Sequence, residues 1–193
     1  ILGEEGGLSG ESSSDYRWII DPVDGTTNYA QGLPVFAISV ALDFQGQTIL
    51  AAVYAPYLDE MYTAIKGQGA YLNGQKIHVN PETELIESTI ATGFIADLGS
   101  QTQKNLDNLA GIVPKVRAFR RMGAASYDLC AVAAGYLNAY WELGLKYWDV
   151  AAGVLIVEEA KGHVYTQENL QKISLVAANP KLVEKLRSLV DIG

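Results

Sequence analysis

The pattern of this chain changes character once, and that change constrains its architecture more than any other feature. From Trp18 to about Val79 the signals are strands and tight turns. Trp18-Ile19-Ile20 is an apolar run halted by Asp21-Pro22. Pro34 to Leu42 and Thr48 to Tyr54 read as strands, joined by a turn over Asp43-Phe44-Gln45-Gly46-Gln47. Glu60 to Ile65 follows the turn signal Ala55-Pro56-Tyr57, and Lys76 to Val79 follows the hairpin dipeptide Asn73-Gly74. The reading is an antiparallel meander, closed by the polar stretch Pro81 to Glu87. Strands then alternate with helices. The strands are Ser88 to Thr92, Val116 to Phe119, Asn138 to Glu142 and Ser174 to Ala177. The helices are Gln101 to Ile112, Ala124 to Ala134, Asp149 to Ala160 (ended by Gly162) and Pro180 to Leu189 (opened by proline). This predicts a layered α/β fold, with an antiparallel-sheet region over residues 1–84 and an α/β region over 85–193. No internal repeat is visible, and the only low-complexity stretch is Ser12-Ser13-Ser14.

The formal charge of −8 and pI of about 4.7 argue against nucleic acid or an acidic membrane as partner, since both need a field of Lys and Arg. A phosphate substrate is disfavoured on the same ground unless bound divalent cations bring the positive charge. The single cysteine, Cys130, allows no internal disulfide and sits in the apolar run Leu129 to Val132, as a buried, inert thiol does. No apolar stretch has transmembrane length and no signal peptide opens the chain, so the expected setting is cytoplasmic. The opening Ile1-Leu2-Gly3-Glu4-Glu5 has no methionine and reads as a start inside a structured region.

Chemistry concentrates in three places. In Asp21-Pro22-Val23-Asp24-Gly25-Thr26-Thr27-Asn28, two carboxylates leave the end of an apolar strand on a proline-stiffened turn. Such a pair can converge on hard cations, with the Val23 carbonyl as a further oxygen ligand. The amides of Gly25, Thr26 and Thr27, at a helix start, suit a phosphate oxygen. The same residues also fit a plain turn at Asp24-Gly25 and a strand-end cap at Asp21. The second place is Gly3-Glu4-Glu5-Gly6-Gly7, by itself an ordinary solvated loop. The third is Trp148-Asp149-Val150-Ala151-Ala152-Gly153, which opens a helix apolar on nearly every face and therefore buried on nearly every face. Asp149 at its lip would be satisfied as an N-cap or as a metal ligand.

Taken jointly, Glu4-Glu5, then Trp18 to Asn28, then Trp148 to Gly153 closely resemble the signature set of the inositol monophosphatase family, from Gly3 to about Asn179. The resemblance implies a sandwich of the sugar-phosphatase type preceded by an amino-terminal part that carries two helices, a mobile loop and an orienting aspartate. It implies Glu4, Asp21 and the Val23 carbonyl as ligands of one Mg²⁺, and Asp21, Asp24 and Asp149 as ligands of a second. Two or three ions are expected, with Mn²⁺ able to substitute and Li⁺ or Ca²⁺ inhibitory. Thr26, with Glu4, corresponds to the pair that positions the attacking water. Glu142 corresponds to the holder of a substrate hydroxyl, and Gly123 and Ala125 to the backbone wall beside the sugar ring. Asp24, Gly25, Thr26 and Asp149 are expected to touch substrate as well. A homodimer is also implied.

The implied activity is Mg²⁺-dependent hydrolysis of a small polyol or sugar phosphate, foremost myo-inositol monophosphate, by metal-activated water. Fructose 1,6-bisphosphate, a nucleotide 3′-phosphate or histidinol phosphate are the alternative substrates. An inactive fragment or a non-enzymatic fold relative is the alternative of another class. A haloacid-dehalogenase-type phosphatase would need Asp-x-Asp-Gly-Thr, one residue shorter than the spacing here. A calcium loop of the EF-hand type counted from Asp21 would need Glu where Gly32 stands.

His78 and His163 lie far in sequence from the acidic motifs and read as surface or core histidines. Lys115, Arg117, Arg120 and Arg121 form the basic cluster. Lys115 and Arg117 alternate along one predicted strand face, as a solvated face does, with contact to a phosphate or ring hydroxyl near Gly123 as the alternative. Tyr136, Tyr140 and Trp141 read as interface or core aromatics.

Overall fold

A computed structural model of the chain describes residues 1–10, 14–94, 100–169 and 172–193; most of the serine run therefore lies outside the described residues. An 8-stranded sheet has the order β2-β1-β3-β4-β5-β6-β7-β8. Its strands are β1 Leu2–Gly3, β2 Gly7–Leu8, β3 Tyr16–Asp24, β4 Ala37–Phe44, β5 Gln47–Ala55, β6 Glu60–Ile65, β7 Gly69–Leu72 and β8 Gln75–Lys76. Helix α1, Thr26–Gln31, links β3 to β4. The meander from β3 to β8 is antiparallel, as expected. Its tight turns hold Gln45 and Gly46, and Asn73 and Gly74, at positive φ, the geometry of two-residue hairpins.

The strands Leu2–Gly3, Gly7–Leu8, Gly69–Leu72 and His163–Asn169 are additional to the expected set, and three further details differ from it. β1 pairs with β3 in parallel, so this sheet is mixed at that edge. β8 is confined to Gln75–Lys76 and does not run on to Val79. The basic cluster does not share a strand: Val113–Lys115 is a short 3₁₀ turn with Pro114 near its start, and the strand that follows is only Ala118–Arg120. Proline sets its own φ and offers no N–H, so the chain coils there before it can pair.

A 5-stranded sheet has the order β10-β9-β11-β13-β12, with β9 Thr89–Thr92, β10 Ala118–Arg120, β11 Ala139–Leu145, β12 His163–Asn169 and β13 Lys172–Ala178. The helices of this half are α2 Ser100–Ile112, α3 Ala125–Ala133, α4 Tyr147–Glu159 and α5 Pro180–Arg187. α4 packs on β3 to β7 on one side and on β12 and β13 on the other, and α3 bridges β4 and β5 to β11 and β13. The pair is therefore a helical layer between the sheets, while α2 and α5 cover the far face of the smaller sheet. This is a layered α/β sandwich.

The placement of α4 follows from its composition. Val150, Ala151, Ala152, Leu155, Ile156 and Val157 are all buried, so a helix without a polar stripe has found cover on both sides. At Gly153 an added Cβ would stand 2.6 Å from Leu129 Cδ1, which is why α3 and α4 approach so closely there. α4 ends before Gly162: Ala160 is its cap, and Lys161 takes the left-handed conformation (φ 68). Cys130 is buried in α3, and His78 and His163 are exposed. The outer face of the larger sheet carries exposed Trp18, Ile38, Met61 and Ile65. Among the described residues no helix is long and apolar enough to cross a membrane.

Candidate active site

The site begins with an irregularity in β3. In a regular strand Asp21 and Asp24, an odd number of steps apart, would point to opposite faces. Here Asp21 pairs with Ser39 and Asp24 with Ala37, so β3 has one residue more than β4 between these pairs. Pro22, which cannot donate to the ladder, sits in that bulge. The extra residue returns Asp24 to the inner side, and both acids are buried. The Val23 N–H donates to Asp21 Oδ1 at 3.0 Å.

Gly25 then turns the chain with φ 86, and α1 opens at Thr26 without a side-chain cap. A Cβ on Gly25 would lie 3.1 Å from Ala124 Cβ and 3.2 Å from the Gly123 carbonyl. The turn after β3 thus presses against the entry to α3. Asn28, buried in α1, secures this contact by donating to the Val35 carbonyl at 2.6 Å and the Met122 carbonyl at 2.8 Å.

The parallel pairing of β1 with β3 sets Glu4 beside Asp21, and the Glu4 N–H donates to the Ile20 carbonyl at 3.3 Å. Asp149 is supplied by α4, but not as its N-cap. It occupies the third helical position, and its Oδ2 accepts from the backbone N–H of Lys146, the cap residue, at 2.7 Å. Glu142 lies within β11 rather than at its end, just before a register shift. Its Oε2 accepts from the Tyr140 hydroxyl.

These elements enclose a cavity of about 330 Å³. Glu4, Asp21, Val23, Asp24, Gly25, Thr26, Gly123, Ala125, Glu142 and Asp149 all line it, so the structure brings together every site residue named from the sequence. A larger cleft of about 660 Å³ runs beside α4 between Thr48, Tyr147 and Ile173; Trp148 and Val150 line it, but Glu4, Asp21, Asp24 and Asp149 do not. Also lining the smaller cavity are Thr27, Gly93, Phe94, Leu145 and Arg121. Gly93 is needed where it stands, because a methyl there would overlap the Glu142 carboxylate.

The cavity is electrostatically unbalanced. Asp21 is pushed up to about 8, by burial first and then by the charges of Asp24, Glu4 and Asp149. Asp149 is pushed up to about 7 by burial, and Asp24 and Glu4 add to it. Burial raises Asp24 as well, against two hydrogen bonds from Ser126 that favour its charged form. Glu142 rises to about 7 by burial, partly offset by the Tyr140 bond. Deeper still, Asp128 is held well above the carboxylate range by burial, and among the described residues neither of its oxygens has a hydrogen-bond partner.

Acids that raise one another in a shared cleft outnumber the one cationic side chain that lines it, Arg121, and oxygen donors suit a hard divalent cation. The fit is one of donor chemistry and charge. Among the described residues no group of three or more acidic, His or Cys side chains is spaced to enclose an ion.

Comparison with known proteins agrees with this arrangement. The sequence profile of the inositol monophosphatase family matches residues 1–191. The putative Nus factor SuhB of Neisseria meningitidis serogroup B is 44% identical over 194 residues, covering 98% of this chain and 74% of that protein. The inositol-1-monophosphatase of Mesorhizobium japonicum is 40% identical over 195 residues, covering 98% of this chain and 73% of that one. Among solved structures, the extragenic suppressor protein suhB of Bartonella henselae superposes with a TM-score of 0.91 at 38% identity, covering 100% of this chain and 75% of its own. By sequence profile, by its relatives and by its fold, this chain belongs to the inositol monophosphatase family.

Proposed function

We propose that the protein is a Mg²⁺-dependent phosphomonoesterase acting on a small polyol phosphate, with myo-inositol monophosphate as the foremost substrate. Membership of the family supports a phosphatase. One observation carries the finer reading: Glu4, Asp21, Asp24 and Asp149 converge on a single cavity together with Glu142 and the chain around Gly123. In this reading Glu4, Asp21 and the Val23 carbonyl hold one ion, and Asp21, Asp24 and Asp149 a second. Bound Mg²⁺ supplies an acidified water and neutralises charge on the ester phosphate.

The chain's own groups do the rest. Thr26 and Glu4 orient the attacking water against the phosphorus. Gly123 and Ala125 form a wall against the ring, and Glu142 accepts a hydrogen bond from a ring hydroxyl. Arg121, at the same rim, offers its guanidinium to an anionic or hydroxylated substrate. A cavity of about 330 Å³ suits one phosphorylated ring and sits at the small end of ligand sites.

Relatives named as Nus factors and as inositol-1-monophosphatases both align over nearly the whole chain, and the acid-lined cavity favours the catalytic reading. The test is phosphate release with Mg²⁺ from inositol 1-phosphate, fructose 1,6-bisphosphate, a nucleotide 3′-phosphate and histidinol phosphate. Fastest turnover of the inositol ester is expected. Release from none of them would support a non-catalytic relative instead.

A further inference from the structure

Asp24 is held by a helix that lies far from it in sequence. Its Oδ2 accepts from the Ser126 N–H at 2.7 Å and from the Ser126 hydroxyl at 2.5 Å. Ser126 is fully buried, one residue into α3. The residue at the N-cap position of α3 is Ala124, which has no side-chain acceptor to offer. Asp24, arriving from the other sheet, therefore caps α3 in its place.

A carboxylate can only accept, so the short contact from the hydroxyl is a charge-assisted O–H···O bond, among the stronger kinds. With an amide and a hydroxyl converging on Oδ2, the carboxylate cannot rotate without breaking both. The Ala125 N–H also favours the charged form, so the start of α3 fixes the orientation of this carboxylate. Ser126 also opposes the repulsion from Glu4 that acts on Asp24.

We propose that Ser126 is a positioning residue for the divalent-cation site, its hydroxyl locking the Asp24 carboxylate against α3 in the orientation in which it would serve an ion. This rests on the metal-dependent reading above. The backbone N–H alone would cap the helix, so the hydroxyl is the part that serves the site. Partners behind a metal ligand typically set affinity by a factor of about 10 to 100.

The test is calorimetric titration of Mg²⁺ and Mn²⁺ into metal-stripped protein, with the melting temperature of each stripped variant measured alongside. Ser126→Ala is expected to weaken both ions by about tenfold. Ser126→Cys, which keeps a side chain of the same shape, somewhat larger, but donates poorly, is expected to do the same and serves if the alanine variant fails to fold. A lowered melting temperature with dissociation constants within twofold of wild type would make Ser126 a helix cap only and overturn the proposal. Asp21→Asn separates the two levels. If wild type binds ions and Asp21→Asn does not, unchanged binding by the Ser126 variants refutes this assignment alone. If wild type binds no ion, the metal reading fails and this proposal with it.

Discussion

Tyr140 donates its hydroxyl to Oε2 of Glu142, two residues along the same strand, with both side chains buried. Residues at that spacing share a face of the sheet, so the tyrosine supplies the partner that a buried carboxylate requires. It engages one oxygen of a group that lines the cavity, and under the proposed function the other oxygen, Oε1, would be left to meet a ring hydroxyl. Glu142→Gln should therefore cost roughly 1.5–3 kcal/mol in kcat/KM for inositol phosphate, the worth of a hydrogen bond to a charged group. Hydrolysis of an aryl phosphate, which has no ring hydroxyls, should change little. Equal losses on both substrates would leave Glu142 as scaffold.

Asn28 ties α1 to two segments, donating to the Val35 carbonyl ahead of β4 and to the Met122 carbonyl ahead of α3. Asn28→Ala would take the donor from both of these part-buried carbonyls, at about 1–3 kcal/mol each. Urea denaturation should show a loss of at least about 2 kcal/mol. A loss under about 0.5 kcal/mol, the usual size for a neutral surface change, would contradict this role.

How much of this was legible beforehand divides along sequence distance. Asp21, Val23, Asp24, Gly25 and Thr26 stand in one run, so their convergence follows from a strand end and a stiff turn. Ser126 meets Asp24 across 102 positions, and no spacing rule reaches that far. Arg121 was submerged among neighbouring basic residues, and its place at the cavity rim comes from the turn at Gly123 (φ 85). A Cβ there would stand 2.6 Å from its guanidinium. β1, Leu2–Gly3, is too short for any periodicity to show, yet its parallel pairing is what sets Glu4 beside Asp21. Asp149 was readable as an acid at the lip of a buried helix, but its place in the first turn depends on where that helix starts.

The raised carboxyls set the direction of a pH dependence. Asp21 moves from 3.8 to about 8 in the folded protein, and Asp149 to about 7. Between the ordinary and shifted values the native state binds more protons than the unfolded state, so stability falls as pH rises through that window. Metal-stripped protein should melt several degrees lower at pH 8 than at pH 5.5. Added Mg²⁺ should raise the melting temperature more at pH 8, where the ligands are free of protons. A stripped protein that is more stable at pH 8, or an ion effect larger at pH 5.5, would contradict the account.

The central claim is that one divalent-cation site is built from Glu4, Asp21, Asp24 and Asp149, and Asp21 is the acid assigned to both ions. Melting temperatures of wild type and Asp21→Asn, each scanned against Mg²⁺ and Mn²⁺, test it most directly. Asn keeps the shape and removes the charge that the ions need. Wild type should rise with ion concentration as ligand binding to the native state requires, by about 2.7 kcal/mol at a hundred times the dissociation constant. Asp21→Asn should stay flat over the same range. An equal rise in both proteins would contradict the assignment.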